Sequence, residues 1–251
     1  MSKIIAVLNQ KGGVGKTTTA INLGAYLAKA GKKVLIVDFD PQGNATSGLG
    51  LAKDMLETTS NDILFRPGEI VTAIHETEIP NLNIIPTNSG LAAAEVELVN
   101  EPSRELLLKK SISGLDYDYV LIDCPPALGL LTINALTAAD QLLIPVQAEY
   151  YALEGLSQLL SVMQRVRQGL NKNLELMGVV VTMYDSRTSL SEQVYGELKK
   201  HFGDKLFKTL IPRNVRLAEA PSYGKPISEH DKWSKGARAY KQLAKEVINR
   251  E

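Results

Sequence analysis

The stretch Asn9-Gln10-Lys11-Gly12-Gly13-Val14-Gly15-Lys16-Thr17-Thr18 lies between an apolar run, Ile4 to Leu8, and a segment patterned as a helix, Thr17 to Lys29. A strand that ends in a glycine-rich turn and feeds a helix start gathers backbone N–H groups at a helix N-terminus, where partial positive charge favours phosphate. The spacing G-x-x-x-x-G-K-[ST] is met at Gly15, Lys16 and Thr17, whereas its first glycine slot holds Gln10. Gly12 and Gly13 supply the freedom of the turn instead. Lys16 is placed to reach phosphate, and the Thr17 hydroxyl to ligate Mg²⁺. A second lysine, Lys11, stands at the loop's entrance.

Outward from this loop, Lys33 to Val37 predicts a second strand, followed by Asp38-Phe39-Asp40-Pro41-Gln42-Gly43-Asn44. In open α/β sheets ligands bind beyond the carboxyl ends of strands, which brings Asp38 and Asp40 towards the phosphate loop. A polar turn begun by Asp-Pro does not account for two acids within three residues there. Further on, Tyr117 to Asp123 is an apolar strand ending in an acid, and Asp123 is placed to serve Mg²⁺, through water. Pro125 and Pro126 end that strand. Strands are also expected at Leu82 to Pro86, Gln141 to Val146, Glu175 to Met183 and Leu206 to Ile211.

Helices are expected at Leu91 to Val99, Ser103 to Ile112, Leu130 to Ala138, Ala152 to Gln168, Ser191 to His201 and Ser234 to Asn249. A short helix capped by Ser60-Asn61-Asp62 is expected, and another from Glu69 to Ile74. Alternation of this kind specifies one α/β domain over residues 1–251, a mostly parallel twisted sheet with helices on both faces.

With 251 residues and 44% apolar content, the chain can bury a substantial core. The 28 basic residues balance the 28 acidic ones, so any polyanion surface must be local. From Asp185 onward there are 14 basic and 9 acidic residues, net +5, against net −5 for the first 184. The cationic surface therefore belongs to the last third. One cysteine, Cys124, excludes an intrachain disulfide or a CxxC site and reads as a small buried hydrophobe. No signal-peptide pattern and no apolar run of about 18 residues appears, which predicts a cytosolic protein.

The loop resembles the K-G-G-x-G-K-[TS] signature of the ParA/MinD family of deviant Walker A P-loop ATPases. Three further stretches share that resemblance: D-F-D-P-Q-G-N-A-T-S-G-L-G at 38–50, Y-D-Y-V-L-I-D-C-P-P at 117–126 and I-P-R-N-V-R-L-A-E-A-P-S-Y-G-K-P-I at 211–227. Together they look like the small chromosomal ParA (Soj) type, without room for an N-terminal helix-turn-helix and without the basic amphipathic C-terminal anchor of a MinD-like membrane-surface ATPase, the alternative reading.

The resemblance implies ATP and Mg²⁺ as ligands. Lys16 and the loop residues Gly12, Gly13, Val14, Gly15, Thr17 and Thr18 would hold phosphate. Thr17, Asp38 and Asp123 would serve the metal, and Asp40 would act on the attacking water. Pro212, Asn214 and the strand end near Thr182 would take the base. Lys11 would contact nucleotide in a partner copy, where it neutralises γ-phosphate charge, so ATP would glue a homodimer. Arg187, Arg216 and Lys225, with Lys235 and Arg238 as further candidates, would bind double-stranded DNA without sequence preference. The implied role is chromosome or plasmid partitioning on the nucleoid, with slow hydrolysis stimulated by a ParB-like partner and no membrane partner. A metal-cluster carrier and a small-molecule ligase of similar loop type are the other classes considered.

Overall fold

The computed structural model describes residues 2–149 and 154–250, apart from the side chain at position 154. Among them the strands are β1 (Lys3–Val7), β2 (Val34–Asp38), β3 (His75–Glu76), β4 (Leu82–Ile85), β5 (Tyr119–Asp123), β6 (Gln141–Gln147), β7 (Glu175–Tyr184) and β8 (Leu206–Pro212). They form one sheet in the order β3-β4-β2-β5-β1-β6-β7-β8, and only the β3–β4 pair is antiparallel. β1 is central, between β5 and β6. The parallel α/β sheet is as expected, while the two-residue edge strand β3 was not foreseen, being too short to show an alternating pattern.

Successive residues of each strand enter opposite cores, as the pleat requires. Ala6, Leu35, Val37, Val120 and Ile122 join one apolar cluster, and Ile5, Val7, Val34, Ile36 and Leu121 the other. Burial on both faces is why these strands read as continuous Val/Ile/Leu runs.

The helices are α1 (Lys16–Lys29), α2 (Asn44–Gly48), α3 (Ser60–Phe65), α4 (Ile70–Ala73), α5 (Leu91–Glu97), α6 (Leu107–Ile112), α7 (Leu130–Ala138), α8 (Glu154–Gly169), α9 (Ser189–Phe202), α10 (Val215–Glu219), α11 (Ile227–His230) and α12 (Lys235–Ile248). α1 and α12 pack together on the second cluster, through Leu23, Leu27, Tyr240 and Leu243. α12 opens on Ser234, whose Oγ accepts from Ala237 N–H at 3.1 Å.

Some boundaries differ from the sequence pattern. α3 is capped by Thr59 rather than from within Ser60-Asn61-Asp62, because Thr59 and Asp62 form a reciprocal capping box. The Glu69–Ile74 expectation resolves into a 3₁₀ turn, Pro67–Glu69, followed by α4. Ser103 adopts φ 54°, so the segment after Pro102 starts as a 3₁₀ turn before α6. The expected start of the helix at Ala152 lies outside the described residues. Cys124 is fully buried, as expected.

Candidate nucleotide-binding site

The loop after β1 is held from below before any ligand is considered. Asn9 Nδ2 donates to the Pro145 carbonyl at 2.8 Å, and Asn9 Oδ1 accepts from Lys11 N–H at 3.0 Å. Val14 is buried, and its carbonyl accepts from the Thr182 hydroxyl at 2.7 Å. Gly13 and Gly15 lie at φ 75° and 88°, where a side chain on either would be strained. Gly15 is the left-handed N-cap of α1 and has no side chain to offer, so the first amides of that helix are left for a ligand.

Parallel register assembles the acids. β2 and β5 pair so that Asp38 lies opposite Asp123 at the carboxyl ends of neighbouring strands. Both are fully buried, and Asp40 is nearly so. Asp38 is well satisfied: its Oδ2 accepts from Thr46 N–H at 2.7 Å and from the Thr46 hydroxyl at 2.6 Å. Burial nevertheless pushes its pKa up to about 6, against the opposing pull of the Thr46 hydrogen bonds. Asp40 Oδ1 accepts from Gln42 N–H at 3.0 Å.

Asp123 differs from both, since neither of its oxygens has a hydrogen-bond partner. Burial and then the Asp38 charge push its pKa well up, while the neighbouring Thr17 hydroxyl and Lys16 pull it down. A buried carboxylate with open lone pairs is costly unless a cation completes it.

Lys16 is itself buried, at 7% exposure, and burial lowers its pKa while Asp123 and Asp40 raise it. Its Nζ donates to the Lys11 carbonyl at 3.2 Å. One buried ammonium thus faces two carboxylates, and a third, Asp38, lies opposite one of them, Asp123. No group of three or more acidic, histidine or cysteine side chains among the described residues could hold a metal alone. A metal here needs ligand oxygens from phosphate or water, the usual habit of Mg²⁺.

Lys11 lies apart from this cluster. Its Nζ is 2.7 Å from Glu149 Oε2, and both side chains are 44% exposed. Glu149 also accepts from Gln147 Nε2 at 2.5 Å. The Lys11–Glu149 pair spans 138 positions and had no signal in the sequence.

Beyond the loop a cavity of about 250 Å³ is lined by Gly15, Thr18, Thr182, Pro212, Asn214 and Tyr240, among others. The residues expected around the base are therefore brought together. The Asn214 side-chain oxygen is occupied, accepting from Leu217 N–H at 3.3 Å as the N-cap of α10. Met183, on the cavity wall, takes φ 51°, a conformation uncommon for a residue with a side chain. Tyr240, buried on the core face of α12, also lines this cavity, with its hydroxyl 3.2 Å from Thr19 Oγ1. Thr46 was missed as the support of Asp38, although it lies within the quoted D-P-Q-G-N-A-T stretch.

The cationic candidates lie elsewhere on the surface, and Arg187, Arg216 and Lys225 each face a carboxylate. Arg187 is 86% exposed and chelated by Asp185, with Nε at 2.9 Å and Nη2 at 2.7 Å from its two oxygens. The Arg187 guanidinium beside Asp185 holds that carboxyl well below the usual range. Arg216, on α10, is 2.9 Å from Glu219 and 3.7 Å from Asp231. Lys225 is 3.9 Å from Glu78. Lys235 and Arg238 are exposed on the first turn of α12.

No helix among the described residues is long and apolar enough to cross a membrane. A family model described as an AAA domain matches residues 2–176. The chain is 58% identical over 249 residues to the sporulation initiation inhibitor protein Soj of Bacillus subtilis, covering 98% of both chains. It is 53% identical over 253 residues to the chromosome-partitioning ATPase Soj of Treponema pallidum, covering 100% of this chain and 99% of that one. Among solved structures, cobyrinic acid a,c-diamide synthase from Mycobacterium smegmatis with a bound ATP analogue and magnesium superposes with a TM-score of 0.87, at 37% identity, over 99% of this chain and 95% of that one. The lysine-flanked loop, the paired strand-end acids and full-length identity above one half all agree: the chain belongs to the ParA/MinD family of deviant Walker A P-loop ATPases, among its Soj/ParA chromosome-partitioning ATPases.

Proposed function

We propose that this chain is an ATP-driven partitioning switch in which the nucleotide pairs two copies, the pair binds duplex DNA without sequence preference, and a ParB-like partner speeds hydrolysis and release. The observation that carries the reading is the division of labour between the two loop lysines. Lys16 is buried among Asp40 and Asp123, whereas Lys11 is held at the surface by Glu149. A second cation added to the buried cluster would repel Lys16; across an interface it meets the γ-phosphate of the other copy.

In this reading the amides of residues 12–18 and Lys16 hold the phosphates, and Pro212, Asn214 and Thr182 frame the base. Thr17 and Asp123, backed by Asp38, would hold Mg²⁺, which supplies charge neutralisation across the phosphate oxygens. The open lone pairs of Asp123 fit that duty. Asp40 orients water: its Oδ1 is braced by Gln42 N–H, so its direction is set before substrate arrives. Hydrolysis in a lone copy is slow because positioning is incomplete without Lys11 of the partner copy and the stimulating protein.

Arg187, Arg216 and Lys225 are the DNA contacts. A few phosphates per copy give weak binding, and pairing two patches multiplies affinity through effective concentration. The protein would therefore act in the cytoplasm, on the nucleoid, when carrying ATP. The test is ATP turnover measured alone, with random-sequence DNA, with the ParB-like protein and with both. Synergy of the two ligands is expected. Turnover that depends on an organic acid and ignores DNA would instead favour the small-molecule ligase class.

A further inference from the structure

The chain has one tryptophan, Trp233, and it is 78% exposed. A single exposed apolar side chain is ordinary on a protein surface. Its surroundings are what distinguish this one. Lys232 Nζ lies 5.4 Å from the centre of the indole ring, a cation–π distance. The Trp233 carbonyl accepts from Arg238 Nη2 at 3.2 Å, and its N–H donates to Asp231 Oδ1 at 3.1 Å. The other oxygen of Asp231 is 3.7 Å from Arg216 Nε. One carboxylate therefore ties the tryptophan turn to Arg216, and Lys232, Lys235 and Arg238, all within five residues of Trp233 along the chain, are exposed.

We propose that Trp233 is a nucleic-acid contact, its indole lying against the sugar edge of duplex DNA while Lys232, Lys235 and Arg238 meet the adjoining phosphates. The proposal rests on the DNA-binding reading given above and extends that surface beyond Arg216. A flat amphipathic ring suits this duty because it covers deoxyribose without reading a base, which keeps binding indifferent to sequence. Tryptophan flanked by lysine also suits a lipid surface. The apolar face of α12 is, however, spent on the core, through Ala237, Tyr240, Leu243 and Val247, so no amphipathic helix accompanies the ring into a bilayer.

Because Trp233 is the sole tryptophan, its emission reports this position alone. The full chain, loaded with a non-hydrolysable ATP analogue and Mg²⁺, is titrated with random-sequence duplex DNA, with co-sedimentation as the independent measure of binding. The emission is expected to shift and saturate along the binding curve. Trp233→Ala should weaken DNA binding about tenfold, as expected when roughly half of an indole's apolar surface no longer leaves water on binding. The slope of log affinity against log salt should stay at its wild-type value, because no cation is removed. Trp233→Phe should recover most of the affinity, and thermal melting of both variants should match wild type. An unchanged affinity in Trp233→Ala, or an unmoved emission while DNA co-sediments, overturns the proposal and leaves the DNA-binding reading standing. Failure of the wild-type chain to bind DNA at all removes both. A response to anionic phosphatidylglycerol vesicles in place of DNA assigns the ring to a lipid surface and also overturns the proposal.

Discussion

The phosphate loop and the C-terminal cationic surface both carry charge, but they keep it in opposite ways. Around the loop, Asp38, Asp40, Asp123 and Lys16 are buried, and Asp123 has no hydrogen-bond partner. On the far surface Arg187, Arg216 and Lys225 are exposed, and each already faces a carboxylate. Buried charge without full compensation stores free energy that only a ligand of the right sign releases. Exposed paired charge stores almost nothing, since solvent screens it and the pairs are worth little. The first region can therefore act as a switch. The second can act only as a sum of small contributions, sensitive to salt.

Asp123→Asn should separate the regions most sharply. Removing the charge of Asp123, which lies beside buried Asp38 and shares Lys16 with Asp40, relieves the nucleotide-free protein, which should melt a few degrees higher. Turnover of Mg-ATP should fall by about a hundredfold or more, as expected when a group serving transition-state charge is lost. Calorimetry and an ATPase assay check the pair of effects; a variant that melts lower would show that Asp123 is compensated in a way the geometry does not reveal.

The next effect is on pH. Asp38 titrates near 3.8 in an unfolded chain and near 6 in the fold. Below about pH 4 the group is protonated in both states and contributes nothing. Between about 4 and 6 the unfolded chain ionises first, so stability of the nucleotide-free protein falls as pH rises and reaches its full loss above 6, about 1–3 kcal/mol. Asp123 acts in the same direction. Denaturant melts at pH 5 and 7 should show the decline, and Asp38→Asn should reduce it.

Smaller effects belong to the exposed region. Arg216→Ala should weaken DNA binding several-fold and reduce the salt slope by about one, with stability changed by less than about 0.5 kcal/mol. Asp185→Asn should strengthen DNA binding about two- to fivefold, because a phosphate no longer competes with the carboxylate that chelates Arg187. Filter binding across a salt series reads both. A loss of stability in Arg216→Ala comparable to that of a core substitution would blur the contrast between the regions.

Much of the buried region was legible in the sequence, because its chemistry is local. The glycines, Lys16 and Thr17 lie in one turn, and Asp38, Asp40 and Asp123 announce themselves at the ends of apolar runs. That Asp38 and Asp123 lie side by side is a matter of strand register, which periodicity does not supply. The Lys11–Glu149 pair was illegible for the same reason: two residues far apart in sequence meet only once β1 and β6 pair. Met183 and Ser103 adopt positive φ under tertiary constraint, against their own preferences. The cationic residues were easy to find and hard to rank, since an exposed arginine looks alike whether it binds DNA or water. Trp233 escaped notice because a lone aromatic between polar residues has no pattern to belong to.

The most direct measurement of the account is the mass in solution, by light scattering, of the hydrolysis-blocked Asp40→Ala chain with and without Lys11→Ala, in saturating Mg-ATP and in Mg-ADP. The account predicts a dimer for the Lys11-containing chain in ATP only, and a monomer for the Lys11→Ala chain in either nucleotide although it still binds ATP. A dimer that persists in ADP, or that forms equally well without Lys11, would contradict it.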